Sequence, residues 1–283
     1  MDLKDKISIF KKDGFENLII VIDFDCTLTK GYNKDGSRVS VISILRNNDF
    51  ISFDYQEKAK ALFVKYHPIE IDPNISFEDK KDAMRKWWTE HFDLLAKSGV
   101  DKKLIEEISK REDLICLRDG FDDFFNFQKE YNIPTLIFSS AGVGDVIKLH
   151  LEYIDRLNKD IHIITNFWDY NDDGKFVGIK GKVIHGMNKG VDILRGSVFY
   201  EKYKNKKNII LLGDSMSDLN MVEGFNYENI ITIGFFNQSN TNGFVKDQKS
   251  FDDMRDKYYD KFDIVIEGDG DMSKVNELLK KLV

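Results

Sequence analysis

Residues 18–29 read Leu-Ile-Ile-Val-Ile-Asp-Phe-Asp-Cys-Thr-Leu-Thr, and this stretch decides the fold. Five branched aliphatic residues in a row are typical of a strand that is buried on both faces of a parallel sheet. Asp23 and Asp25 follow at once, where the carboxyl end of such a strand lies at the ligand-binding edge of an open α/β sheet. Two carboxylates this close require a cation or a shared proton, which indicates a metal or an acid–base role. A pair of solvated loop acids is the alternative, and the apolar strand before them and Thr27 after them disfavour it.

Further short apolar runs have the same character and alternate with amphipathic stretches. The predicted strands are 18–22, 135–138, 161–165, 209–212, 230–233 and 264–266, and the predicted helices among them include 121–131, 143–158, 217–222 and 272–282. This alternation predicts an α/β fold with a doubly wound, Rossmann-like parallel sheet.

Residues 33–116 interrupt the alternation, because they carry helical patterns at 56–66, 77–96 and 102–111 and few strand signals. We interpret them as a helical cap domain inserted after the first strand that determines substrate specificity. Residues 1–32 and 117–283 would then form the catalytic core. A β-hairpin is expected within 166–178, around Asn-Asp-Asp-Gly at 171–174.

The bulk composition excludes several classes of protein. The 283 residues are 42% hydrophobic, which suits a sizeable buried core, and the net charge of −7 comes without a basic stripe. Nucleic acid is therefore not an expected partner. Cys26 and Cys116 lie far apart, residues 1–12 are charged, and no apolar run approaches the roughly 20 residues that span a bilayer. We expect a soluble cytoplasmic monomer without a membrane partner.

Three more polar groups follow predicted strands or precede predicted helices. The first is Ser139-Ser140-Ala141, whose hydroxyl and backbone N–H groups can bind an anion or simply cap a helix. Lys189 is the second, and a lysine before a helix is usually a solvated surface residue unless nearby carboxylates need a fixed cation. The third is Asp214 with Asp218, which can complete an oxygen-rich Mg²⁺ site or form a turn and an N-cap.

The order of these groups, D-x-D-x-T, a strand-end serine, a lysine and G-D-S-x-x-D, resembles the haloacid dehalogenase superfamily of aspartate-nucleophile phosphatases. More closely, the chain resembles the cytosolic 5′-nucleotidase III group, the pyrimidine 5′-nucleotidases, from about residue 15 to the C-terminus. The segments that carry this resemblance are 69–73 (Ile-Glu-Ile-Asp-Pro), 87–89 (Trp-Trp-Thr), 141–145 (Ala-Gly-Val-Gly-Asp), 166–167 (Asn-Phe), 188–189 (Asn-Lys) and 211–215 (Leu-Leu-Gly-Asp-Ser).

The resemblance implies a Mg²⁺-dependent 5′-nucleotidase that hydrolyses pyrimidine nucleoside 5′-monophosphates. Asp23 would attack phosphorus and form an aspartyl-phosphate, and Asp25 would act as general acid and then general base. The Asp23 carboxylate, the Asp25 backbone carbonyl and Asp214 would bind Mg²⁺. Lys189 would hold the phosphate, and Asp218 would orient Lys189 or support the water shell of the metal.

The remaining implied contacts are to substrate. A serine hydroxyl and Ala141 would bind phosphate. The family has one serine where this chain has Ser139 and Ser140 in tandem, so both are candidates, and we favour Ser140 because it directly precedes Ala141. The Thr27 hydroxyl would position the first loop. A small phosphorylated metabolite other than a nucleotide is an alternative substrate, and a catalytically idle nucleotide-binding protein is an alternative function.

The family places a base-recognising glutamate before an aromatic pair, and here that position is Lys86. Adjacent residues of a helix face different directions, so we expect at most one of Trp87 and Trp88 to stack on a nucleobase, the other packing in the core. We hypothesise that Lys86 disfavours bases with an amino group or a positive charge and favours uracil.

Overall fold

The computed structural model of the protein describes residues 1–33, 36–72, 74–238 and 248–283. Its centre is a sheet of six parallel strands: β1 (Leu18–Ile22), β2 (Thr135–Phe138), β3 (Ile161–Ile164), β6 (Asn208–Gly213), β7 (Asn229–Phe236) and β8 (Ile264–Glu267). They lie side by side in the order β3-β2-β1-β6-β7-β8. All six predicted strands are present, each with bounds within a few residues of the predicted ones. The doubly wound α/β prediction is confirmed.

The central strand β1 is flanked on both sides by parallel partners. Ile20 pairs with Thr135 of β2 and with Ile210 of β6, so the carboxyl ends of these three strands meet at one edge. Every residue of β1 and β6 is buried. A buried parallel strand needs apolar side chains on both faces, which is why these segments lack the alternation of an exposed strand.

Helices cover both faces of the sheet. Those outside residues 33–116 are α1 (Leu3–Asp13), α6 (Phe121–Glu130), α7 (Gly144–Tyr153), α8 (Val191–Leu194), α9 (Val198–Tyr203), α10 (Gln248–Lys261) and α11 (Ser273–Lys281), with a 3₁₀ helix at Met216–Val222. Helices α1 and α10 were not predicted from the sequence, because their stretches are rich in charged residues. No helix among the described residues is both long and apolar enough to cross a membrane.

Four helices lie between β1 and β2, and we call them the helical insertion: α2 (Val41–Asn47), α3 (Phe53–Ile71), α4 (Phe77–Lys97) and α5 (Lys102–Ile108). Helices α3 and α4 pack against each other, and Ser52 and Ser76 cap their N-termini by accepting a backbone N–H. Residues 34, 35 and 73 of the predicted cap lie outside the described residues, and among them is Pro73 of the segment that resembles the family.

A two-stranded antiparallel hairpin, β4 (Trp168–Tyr170) and β5 (Phe176–Ile179), leaves the sheet where the sequence predicts one. It contacts the helical insertion. The N–H of Phe176 donates to Val100 O at 2.9 Å, and the Lys175 ammonium lies 3.0 Å from the Asp101 carboxylate. The hairpin therefore holds the end of α4 and the start of α5 against the sheet.

Candidate active site

The loop after β1 carries the first two acids. It makes a tight turn over Phe24–Leu28, in which Cys26 adopts a left-handed backbone with φ of 61°. The Thr27 hydroxyl lies 3.4 Å from Asp23 Oδ2, and Asp25 Oδ1 accepts the N–H of Val41 at 2.9 Å. The turn thus places both carboxylates at the carboxyl end of the central strand.

Lys189 is the fixed cation of the site. Its Nζ lies 2.6 Å from Asp23 Oδ1 and 2.7 Å from Asp218 Oδ1, and all three side chains are buried. The turn before it is held by Asn188, which accepts the N–H of His185 at 2.8 Å and donates to Val183 O at 2.8 Å. The surface-lysine alternative is therefore wrong, because Lys189 is only 4% exposed.

The other two acids follow β6: Asp214 comes directly after the strand, and Asp218 lies in the 3₁₀ helix Met216–Val222. Ligand oxygens of Asp23, Asp214 and Asp218 lie within 4.8 Å of one another. Asp218 approaches closely because position 213 is glycine, where an added Cβ would lie 2.5 Å from the Asp218 Cβ. Asp218 also closes a capping box, since its Oδ2 accepts the N–H of Ser215 at 3.0 Å. The predicted turn and N-cap are therefore present, and the same turn places Asp218 beside Lys189.

The electrostatics of these groups are set mainly by burial. Burial, opposed by Lys189, raises the pKa of Asp23 to about 7, and burial together with the charge of Asp23 raises the pKa of Asp25 to about 7. Burial, opposed by Arg38, raises the pKa of Asp214 to about 6. The pKa of Lys189 is itself raised, because its carboxylate partners outweigh the cost of burying the ammonium.

The charges in this cluster call for a further cation. Lys189 contacts Asp23 and Asp218, and Arg38 Nη2 lies 3.4 Å from Asp214 Oδ2, so two cations face four carboxylates. Carboxylate oxygens are the ligands that Mg²⁺ prefers, and a divalent ion would balance the excess negative charge. The residues present therefore fit the predicted metal.

The serine loop after β2 reaches the same edge of the sheet. The Ser139 oxygen accepts the N–H of Ala141 at 3.1 Å and is buried, whereas Ser140 is half-buried. The side chain of Asn166 joins this loop to the segment before Lys189, because it donates to Ala141 O at 3.1 Å and to Ile184 O at 2.8 Å. Ser139 thus serves its own loop, and Ser140 is the more accessible hydroxyl.

The two indoles of α4 belong to a row of aromatic rings that we call the aromatic ladder. Neighbouring centroids along this row are 5.4–6.2 Å apart, with interplanar angles of 13–24°. Its members are Tyr66, Trp87, Trp88, His91 and Phe92. The planes of the two indoles lie only 15° apart, and both side chains are partly exposed.

The ladder meets the serine loop at one point. A Cβ added at Gly142 would lie 2.4 Å from Trp88 Cζ3, so the indole rests directly on this glycine. Lys86, by contrast, is exposed, and its charge helps to lower the pKa of Glu90, although the Tyr66 hydroxyl has the larger effect. Trp88 thus links the helical insertion to the serine loop.

Three residues around the cluster were not predicted from the sequence. Arg118 donates to backbone carbonyls of the first loop, Arg38 contacts Asp214, and the Tyr258 hydroxyl donates to the backbone carbonyl of Asp214. They come from segments whose local pattern is that of ordinary turns and amphipathic helices. No sequence signal distinguishes them, because their partners are backbone atoms or acids distant in the chain.

Comparison with known proteins identifies the family. The model of the pyrimidine 5′-nucleotidase (UMPH-1) family matches residues 26–283. The chain is similar to the 7-methylguanosine phosphate-specific 5′-nucleotidase of Homo sapiens, with 36% identity over 98% of this chain and 88% of that protein. It is also similar to the protein of that name in Gallus gallus, with 35% identity over 98% of this chain and 92% of the relative.

Solved structures agree. The crystal structure of cytosolic 5′-nucleotidase IIIB bound to cytidine has a TM-score of 0.83 and 30% identity, covering 99% of this chain and 90% of the other. A phosphoserine phosphohydrolase-like protein from Francisella tularensis, at 17% identity and a TM-score of 0.53 over 92% of this chain and 98% of its own, shares the fold. The chain belongs to the pyrimidine 5′-nucleotidase family and is a phosphoric monoester hydrolase of the haloacid dehalogenase type.

Proposed function

We propose that the protein is a Mg²⁺-dependent 5′-nucleotidase that hydrolyses nucleoside 5′-monophosphates through an aspartyl-phosphate. An Asp23 oxygen forms the new bond to phosphorus, the bond between phosphorus and the ribose oxygen breaks, and Asp25 gives its proton to that oxygen. Water then attacks phosphorus, gives a proton to Asp25 and releases phosphate from Asp23. Both residues return to their starting states.

One observation carries the proposal: Lys189 joins Asp23 and Asp218 by contacts of 2.6 and 2.7 Å in a buried cluster at the strand ends. A cation beside the nucleophile offsets the repulsion between a carboxylate and a phosphate dianion. The raised pKa of Asp25, about 7, suits a group that must donate and accept a proton near neutral pH.

The remaining contacts of the phosphoryl group follow from the same edge of the sheet. Ser140, the Ala141 N–H and Lys189 are proposed to hold its oxygens, with Ser139 supporting the loop and Thr27 orienting Asp23. Asp23, the Asp25 carbonyl and Asp214 would hold Mg²⁺, which would supply neutralising charge to the phosphoryl oxygens. Asp218 keeps Lys189 in place.

The test of this chemistry is the Asp23→Asn variant. Wild-type enzyme, quenched in acid during turnover of a ³²P-labelled nucleotide with Mg²⁺, should carry label that hydroxylamine removes, as an acyl phosphate does. Asp23→Asn should carry none and should release no phosphate, while Asp172→Asn on the exposed hairpin turn behaves as wild type. Equal phosphate release by wild type and Asp23→Asn would overturn the nucleophile assignment.

The helical insertion is proposed to act as the cap that selects the base. Trp88 lies against Gly142 beside the proposed phosphate site, and Trp87 lies next to it in the aromatic ladder. Either indole can offer a face to a nucleobase, a contact worth about 1–3 kcal/mol by analogy with single-strand binding. A cap that contacts both the serine loop and the base can couple the two halves of a nucleotide.

The base preference is the finer part of the proposal. Two relatives are named for 7-methylguanosine phosphate, and a solved relative holds cytidine. Lys86 stands where the family has glutamate, and an exposed ammonium there repels a cationic base and cannot accept from an amino group. We propose UMP as the preferred substrate. A panel of UMP, CMP and 7-methylguanosine monophosphate tests this, and the highest kcat/KM for either of the last two refutes it.

A further inference from the structure

Arg118 is a buried cation that bonds the loop carrying the proposed nucleophile. Its side chain is 0% exposed. The Nη2 group donates to Cys26 O at 2.6 Å, and Nε donates to Thr27 O at 2.8 Å. We propose that Arg118, paired with Asp269, is a positioning residue that fixes the reactive geometry of Asp23 and Asp25, an inference that rests on their proposed roles.

Asp269, the acidic partner of Arg118, bonds the other end of the same loop. Its Oδ1 lies 3.0 Å from Arg118 Nη1 and accepts the N–H of Gly31 at 2.7 Å, and its Oδ2 accepts the N–H of Tyr32 at 3.3 Å. Arg118 therefore donates to carbonyl groups at one end of the loop, and Asp269 accepts from N–H groups at the other end. Each residue bonds backbone groups of the loop, whose polar atoms need partners when they are removed from water.

Asn237, which follows β7, makes the third contact of this network. Its Oδ1 accepts from Arg118 Nη2 at 2.7 Å, and its Nδ2 donates to Cys26 O at 2.7 Å. Two donors thus converge on one carbonyl. Cys26 needs this support because its φ of 61° is unfavourable for a residue with a Cβ.

The position of this carbonyl links the network to chemistry. Cys26 lies between Asp25 and Thr27, whose hydroxyl is 3.4 Å from Asp23 Oδ2. If the peptide after Cys26 rotates, the directions of both neighbouring side chains change. Arg118 itself touches the backbone of this loop and not the carboxylates, so its role is positioning.

The network also joins the helical insertion to the loop. Arg118 N donates to Leu28 O at 3.0 Å, and Lys30 N donates to Cys116 O at 2.8 Å, where the chain returns from the insertion. Both ends of the insertion are therefore fixed beside the same turn. The guanidinium fork of Arg118 bonds Cys26 O, Thr27 O and Asn237 Oδ1 at the same time, whereas a lysine offers one point charge and cannot bond several fixed acceptors in a plane.

The test compares Arg118→Lys with Asn208→Ala. Asn208 is buried at the start of β6, away from the strand ends that carry the acids, and its side chain donates to Asp13 at 3.0 Å. Both variants should lower the Tm. Arg118→Lys should lower kcat for UMP by about 10- to 100-fold with KM changed less than about threefold, since small displacements of reacting groups cost this much. Asn208→Ala should keep the wild-type kcat.

Asp269→Asn is the second variant, used in the same way if Arg118→Lys does not fold, with an expected fall in kcat of about fivefold or more. A wild-type kcat in Arg118→Lys or in the folded Asp269→Asn overturns the inference, as does an equal kcat loss in Asn208→Ala at equal Tm.

Asp23→Asn, measured alongside, separates the two proposals: if it keeps activity, the proposed nucleophile is wrong. If only Asp23→Asn is inactive, the positioning role alone fails.

Discussion

The acid–lysine cluster at the strand ends and the aromatic ladder of the helical insertion are held together differently. In the cluster, contacts of 2.6 and 2.7 Å join buried charges on three separate elements. In the ladder, neighbouring ring centroids lie 5.4–6.2 Å apart, and both indoles are partly exposed. The first arrangement depends on the position of each atom, whereas the second depends on shape and area.

This difference suits the separate task that we propose for each region. Short contacts between buried charges exist only in a narrow range of geometries, which suits groups that make and break bonds. Ring-to-ring packing tolerates exchange and displacement, which suits a surface that adapts to different bases. Substitutions in the cluster should therefore change kcat, and substitutions in the ladder should change stability or substrate preference.

The largest effect is expected for Lys189→Met. The change leaves Asp23 and Asp218 buried without their cation, which costs about 3–5 kcal/mol of stability, and removes the charge beside the proposed nucleophile. We expect kcat to fall by at least about 10³-fold, as when an enzyme loses a charge that acts on the transition state. Urea unfolding and steady-state kinetics measure the two effects.

Lys6→Met is the matched control for that change. Lys6 pairs with Asp263 at 2.7 Å in a partly exposed ion pair of the same length. Its loss should cost about 1 kcal/mol or less and leave kcat unchanged. A fall in kcat of less than about tenfold in Lys189→Met would show that the cluster does not carry the chemistry.

Gly142→Ala tests the point where the ladder touches the serine loop. The new Cβ would lie 2.4 Å from the Trp88 ring, so the serine loop or α4 must move. Overpacking of this kind costs about 1–3 kcal/mol, and we expect kcat/KM to fall about tenfold or more. In a Trp88→Ala background the same change should cost less, because the clash is gone. Additive costs in this double-mutant cycle would mean that the contact between Trp88 and Gly142 does not couple the ladder to the serine loop.

The fold and the acid cluster could be predicted from sequence because each depends on residues that are neighbours in the chain. The all-aliphatic composition of residues 18–22 predicts a buried strand. Asp23 follows this strand and therefore lies at the carboxyl edge of the sheet. Parallel pairing then brings Asp214, at the end of β6, beside Asp23 without any further information. The resemblance to a known family predicted the roles of these acids, and the parallel pairing of the strands predicted that they lie close together.

Other features could not be predicted because they arise between segments distant in sequence. Arg118 bonds backbone carbonyls 91 and 92 residues away, and a backbone partner leaves no mark in the side-chain pattern. The near-parallel rings of Tyr66, Trp87 and Trp88 depend on the packing of α3 against α4, which the sequence of α4 alone does not reveal. Helices α1 and α10 were missed because charged residues mask a small apolar face.

The ladder should also be sensitive to acid, through His91. Burial, helped by the charge of Arg46, lowers the pKa of His91 to about 4, and Tyr55 Oη lies 3.0 Å from its Nε2. The unfolded chain takes up this proton near pH 6.5 and the folded chain does not, so stability is full above about 6.5 and declines as the pH falls toward 4.

His91→Gln removes this titration. At pH 5 the wild type should have lost about 2 kcal/mol more than His91→Gln, relative to their difference at about pH 7.5, as measured by urea unfolding. The kcat of the folded protein should be the same in both. Parallel stability–pH curves for the two proteins would show that His91 is not the neutral, buried group on which this part of the ladder depends.

The smallest effect is expected for Lys86→Glu, which changes the charge beside the ladder without touching the cluster. Lys86 is exposed on α4, so folding should change by only about 0.5 kcal/mol through new repulsion with Glu90 one turn away. The kcat/KM for CMP and 7-methylguanosine monophosphate should rise about tenfold relative to UMP, as expected when the base acquires one favourable partner of opposite charge or one acceptor.

Lys97→Glu is the control. Lys97 is an exposed lysine in the last turn of the same helix, so the substitution makes the same charge change and should leave the ratios unaltered. Unchanged ratios in Lys86→Glu would mean that base preference lies in the rings of the ladder and not in the charge beside them.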